Sequence, residues 1–185
     1  MKTVLYSLAV SGFFFISGNA TAQNTKSVNY AVQPVTESAV LQHGDLQIRA
    51  TDAIYFQMDE EALAAQLDGI MYREVGQGFV AELNFPHPDG TFHTYFAKGN
   101  RTISEGLAEN YPEIRSYDAY NEEGHFVKWD ITHKGLHAMI FRPDGSTIFI
   151  DPAIMGNNEY YILYTRENFV TDKTRDCQFD SDLEP

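Results

Sequence analysis

The sequence predicts an α+β domain, an antiparallel β-sheet built from hairpins with one main helix packed on it. Three observations carry that expectation. Two apolar stretches are each broken by the same turn, Pro88-Asp89-Gly90 and Pro143-Asp144-Gly145. Proline presets φ for such a turn and glycine accepts positive φ, so each reads as a hairpin tip. Leu63, Leu67 and Ile70 recur at helical spacing and would bury one stripe of a single helix. From Phe79 onward the apolar residues fall in short strand-like runs bounded by turn residues.

Taken in order, the chain opens with a targeting segment. Met1-Lys2 supplies one positive charge, residues 3–17 are mostly apolar, and Ala20-Thr21-Ala22 puts small residues at a signal-peptidase site. Residues 1–22 therefore read as a signal peptide cleaved between Ala22 and Gln23. The apolar run is shorter than the ~20 residues a membrane-spanning helix needs. Residues 23–52 are polar without periodicity and read as a loose N-terminal extension. Residues 53–169 form the expected domain. Ala53 to Gln57 reads as a strand. Asp59 can cap the helix, because its carboxylate accepts from an orphan amide of the first turn. Glu60 and Glu61 suit the positive end of the helix dipole, and Gly69 marks its end. Phe79 to Phe85 and Thr91 to Phe96 flank the first turn. Ser104 to Glu109 predicts a short helix that stops before Pro112. Phe126 to Thr132, Leu136 to Phe141, Thr147 to Ile150 and Tyr160 to Thr165 complete the strands. Residues 170–185 are acidic, lack an apolar period and read as a tail or linker.

Composition narrows the function. The chain carries 26 acidic against 13 basic residues, a net charge of −13. That opposes nucleic-acid binding, which replaces counterions with a basic surface, and disfavours anionic membranes. The expectation is an exported protein, secreted or periplasmic, with no nucleic-acid partner and no membrane attachment after signal cleavage. The single cysteine, Cys177, cannot form an internal disulfide. In an exported chain it points to an intermolecular bond, a reactive thiol or a metal ligand.

An ordered set of phrases carries a resemblance. It comprises Phe85-Pro86-His87-Pro88-Asp89-Gly90-Thr91-Phe92, Leu107-Ala108-Glu109-Asn110-Tyr111-Pro112-Glu113-Ile114-Arg115-Ser116-Tyr117, Gly135-Leu136-His137-Ala138-Met139-Ile140, Pro143-Asp144-Gly145, Ile150-Asp151-Pro152 and Tyr160-Tyr161-Ile162-Leu163-Tyr164. Together they resemble the N-terminal propeptide region of secreted bacterial reprolysin-like zinc metallopeptidases, from about Ala53 to Phe169. The resemblance implies a zymogen pro-domain that helps the catalytic domain fold and holds it latent, with that domain as partner, normally in cis. The alternative is a stand-alone secreted or periplasmic protein-binding or peptidase-inhibitor module. The six histidines are His43, His87, His93, His125, His133 and His137, and none begins a His-Glu-x-x-His motif. That motif sets two zinc ligands one helical turn apart beside a general base, so this chain is expected to be non-catalytic.

Within the resemblance, Cys177 lies where a zinc-directed switch belongs. A thiolate is a soft ligand that would displace the water nucleophile from the open position of a catalytic zinc. Its setting is Arg175-Asp176-Cys177-Gln178-Phe179-Asp180, where Gln178 replaces the glycine of better-known cysteine switches. Carboxylates also bind zinc, so Asp176, Asp180 and Asp182 are alternatives. The chain itself is expected to hold no metal and no cofactor of its own. His133 with His137, and His87 with His93 around the first turn, are candidate ligands, and His137 is expected to play a structural role beside the hairpin.

Overall fold

The computed structural model describes residues 24–71, 78–100 and 105–171. Ten strands dominate it: β1 (Thr25–Ser27), β2 (Val32–Val35), β3 (Ile54–Met58), β4 (Val80–Pro86), β5 (Phe92–Asn100), β6 (Arg115–Tyr120), β7 (Phe126–Thr132), β8 (Gly135–Phe141), β9 (Thr147–Ile154) and β10 (Asn157–Thr165). They form one sheet in the order β1-β4-β5-β6-β7-β8-β9-β10-β3-β2. β1 pairs with β4 in parallel and every other pairing is antiparallel. The expectation of an α+β domain with a main helix on the sheet is thus corrected: the fold is largely β, in a mixed sheet. Helices α1 (Glu37–Val40), α2 (Glu60–Gln66) and α3 (Glu105–Asn110) are all short.

The sheet cannot be flat. Its two outermost strands, β1 and β2, are joined by residues 28–31, a link that spans at most about 18 Å. Nine strand spacings in a flat sheet would cover roughly 43 Å. The ribbon therefore curls until its edges meet, and the link is tied to both: Val28 N donates to Glu82 O of β4, and Ala31 O accepts from Asp59 N beyond β3. The result is barrel-like, with alternate residues of the longer strands turned inward.

That interior is filled by side chains. Registered inward rows run Ala81, Ala97, Ala119, Val127, Ile140, Ile148 and, beside them, Tyr117, Trp129, Ala138, Ile150, Leu163. The alanines leave room for large rings. Tyr117 stacks on Trp129 with centroids 4.2 Å apart, and Phe85 meets Trp129 edge-on at 5.5 Å.

Helix α2 forms for the reasons the sequence offers, but it sits elsewhere. Ala62 N donates to Asp59 Oδ1 at 2.9 Å, completing the cap. The helix ends at Leu67, and Gly69 takes φ +79°. Ile70 then bridges Phe79 instead of extending the helix. Leu63 and Leu67 join the cluster of strand residues that fills the interior, so α2 closes the end of the wrap where β3 leaves and β4 enters. Leu63 and Leu67 thus face the core as expected, while Ile70 lies beyond the end of the helix.

Residues 23–52 were expected to be loose, and the structure corrects this from residue 24 on. They supply β1, β2 and α1. Val40, Leu46 and Ile48 pack with Ile154, Tyr160 and Ile162 on the outer face of β9 and β10. Gln47 N donates to Ala153 O, and Thr51 N to Asn168 O. Strand β6 was also missed. Its outward Asp118 is buried and accepts from Asn100 Nδ2 at 2.8 Å.

Candidate histidine site at the mouth of the barrel

Strand alternation places three histidines together. His87 lies two residues past inward Phe85, His93 two before inward Tyr95, and His125 two before inward Val127. Period 2 turns all three to the interior. The β4–β5 and β6–β7 turns share one end of the sheet, because the strands between them are antiparallel. One potential ligand atom from each histidine lies within 4.8 Å of those of the other two. His87 and His125 are buried, and His93 is nearly so.

The Tyr95 hydroxyl stands between two of them, 2.7 Å from His87 Nε2 and 3.2 Å from His125 Nδ1. His87 and His93 stack with centroids 3.8 Å apart. Burial, reinforced by the neighbouring His93 and His125, pushes His87 down to about 4. Burial also lowers His125, against the pull of Glu123. Burial thus favours the neutral form of both rings. Imidazole nitrogens in this arrangement are suited to late first-row metals.

A second polar set lies on the outer face. His137 Nδ1 is 2.6 Å from Asp151 Oδ1, and Tyr164 OH donates to Asp151 Oδ2 at 2.8 Å. Asp130 is opposite His137 in the β7–β8 register. The hydrogen bond to Asp151 raises the His137 pKa, opposed by burial and aided by the charges of Asp151, Asp130 and Glu60. The sign follows directly. A folded pKa above the ordinary ~6.5 means that this stabilisation is complete below ~6.5 and lost as pH rises through the folded value. The pair is partly exposed, so about 0.3–1 kcal/mol is expected. Urea unfolding of wild type and His137→Gln should therefore converge as pH is raised from 6 to 9. An unchanging gap between them would contradict the assignment.

At the opposite end a cleft of about 810 Å³ is lined by Asp59, Glu60, Glu61, Glu113, Arg115 and His133, among others. Arg115 Nη1 donates to Asp68 Oδ1 and Ala64 O, tying β6 to the α2 end. Tyr161 OH donates to Glu60 and accepts from Leu136 N. Burial raises Glu60, opposed by the Tyr161 bond.

The residues singled out in the sequence are distributed unevenly. Cys177, Asp176, Asp180 and Asp182, and the cleavage pair Ala22 and Gln23, lie outside the described residues. His133 sits in the β7–β8 turn, away from the other histidines, and His137 pairs with Asp151. His87 and His93 do meet, and His125 joins them, a grouping the sequence reading did not make. The signal was available in the inward alternation of β4, β5 and β7, but it needed the β5–β6–β7 register to be read.

No family model, no curated protein and no solved structure matches this chain.

Proposed function

We propose that this chain is the pro-domain of an exported zinc metallopeptidase, a folding aid and latency inhibitor that catalyses nothing itself. The observation that carries the reading is how the barrel hands over its tail. The resembling phrases from Phe85 to Tyr164 fall within the single run from β4 to β10. After β10 the backbone is pinned again, Val170 N donating to Arg49 O at 2.9 Å. Cys177 then lies within about 25 Å of that anchor even with the chain fully extended. A rigid body with a thiol on so short a tether can dock against a catalytic domain and deliver a ligand to its zinc. The side-chain-filled interior suits a body that works through its surface rather than by enclosing a small substrate.

The test uses the chain from Gln23 to Pro185 against a reprolysin-like catalytic domain produced without its own pro-region. Inhibition is expected, and Cys177→Ala should weaken it about 10- to 100-fold, or roughly 1.4–2.8 kcal/mol. If Asp176→Asn or Asp180→Asn carries that loss instead, the switch is a carboxylate. No inhibition by the wild-type chain of any such catalytic domain, including one encoded in the same genome, would sink the pro-domain reading.

A further inference from the structure

We propose that His87, His93 and His125, with Glu123, form a zinc-binding site that staples the β4–β5 hairpin to the β6–β7 turn. The argument begins with a proton. Thr91 has one hydroxyl proton, and it is given to Asp89 Oδ1 at 2.6 Å. Asp89 is itself fixed by accepting from Thr91 N at 2.9 Å. The Thr91 oxygen, 3.0 Å from His93 Nε2, must then accept, so the His93 proton is on Nε2. This chain of imidazole, hydroxyl and carboxylate is the kind of outer support that sets the tautomer of a metal-ligating histidine.

His93 Nδ1 is left with a bare lone pair. It is buried and makes no hydrogen bond among the described residues, yet Glu123 Oε2 stands 2.9 Å away. Two acceptors facing each other at that distance repel unless a proton or a metal ion lies between them. The same carboxylate oxygen is 3.8 Å from His125 Nδ1, so one point is addressed from both sides.

The dimensions suit zinc. For three atoms no more than 4.8 Å apart, some point lies within about 2.8 Å of all of them, against zinc–nitrogen bonds of about 2.0–2.1 Å. Each nitrogen need move inward by less than about 1 Å. The stacked His87 and His93 rings must fan apart to aim at one ion, through the broad terminal torsion of histidine. Three nitrogens and one carboxylate oxygen make a closed tetrahedral shell, the mark of a structural rather than a catalytic site. To ligate through Nδ1, His125 must exchange the Tyr95 hydroxyl and the Asn121 Nδ2, each now 3.2 Å from that nitrogen, for the ion. The site does not depend on the pro-domain reading.

The experiment uses the chain from residue 23 with Cys177→Ser, which removes the tail thiol as a competing ligand. Cobalt(II) is titrated first, because tetrahedral coordination gives intense visible bands, and zinc is then followed by calorimetry. One ion per chain is expected, with a zinc-dependent rise in melting temperature. His93→Ala should weaken binding more than about 100-fold, and Thr91→Val, which removes only the support, about 10-fold. His137→Ala should leave it unchanged. Because a histidine variant can fail to fold, imidazole nitrogen shifts of the unsubstituted chain are read on zinc addition, and three histidines should move together. Absence of a one-to-one complex tighter than about 100 μM, or shifts confined to His43, His133 or His137, would overturn the site. Zinc-independent charging of His93, seen as an imidazolium paired with Glu123, would overturn it equally.

Discussion

Replacing Trp129 with alanine is expected to cost about 3–5 kcal/mol, most of the stability of a domain in the usual range of about 5–15 kcal/mol. Trp129 is 2% exposed. Its ring stacks on Tyr117 and takes the edge of Phe85, and the small inward residues around it cannot expand into the void. A cavity in a close-packed interior is filled poorly, so the loss of dispersion contacts adds to the loss of apolar burial. Trp129→Phe makes a sharper comparison. It keeps a ring and removes an indole N–H that is buried without a hydrogen-bond partner among the described residues, so its cost should stay under about 1.5 kcal/mol. Urea unfolding at neutral pH reads both. A cost below 1 kcal/mol for the alanine would mean that the interior is loosely packed and the inward rows do not interlock.

Gly135→Ala is expected to cost about 2–4 kcal/mol, through two separable effects. Gly135 opens β8 at φ +104°, where an L side chain is strained, and a Cβ there would lie 2.6 Å from Pro152 Cγ and 3.1 Å from Asn158 Oδ1. Gly90 supplies the control. It has φ +80° with nothing within 4 Å of its would-be Cβ, so Gly90→Ala should show the backbone strain alone, about 1 kcal/mol. The difference between the two variants measures how tightly the β8 entry packs against Pro152 of β9 and Asn158 of β10. Equal losses would show that this contact relaxes freely.

The hairpins and the helix cap were legible because their causes are local. Pro-Asp-Gly fixes a turn whatever surrounds it, and Asp59 caps whatever follows it. β1 and β2 were not legible, because the exposed strand β1 and the half-exposed β2 have no apolar alternation to show. In β6 only Tyr117 and Ala119 of Arg115–Tyr120 combine inward position with apolar character, too few to stand out. The mistaken weight given to a helix covering the sheet has the same origin. A buried stripe of Leu63 and Leu67 signals contact with a core, and whether that core is a sheet face or the end of a wrap depends on strand order. The histidine site was half visible. His87 and His93 flank a recognisable turn, while His125 enters only through pairing across β6.

The order of the strands also sets a timetable for folding. β3 is made early in the chain, yet its partner is β10: Gln57 pairs with Tyr160 and Phe56 with Tyr161. Pairings so distant in sequence give a high contact order, and such sheets form in milliseconds to seconds rather than microseconds. Until β10 arrives, β3 presents an open edge to any other strand. The strand completed last is thus also the one that leads into the tail, so the wrap closes on β3 next to the Val170–Arg49 anchor from which residues beyond 171 depart.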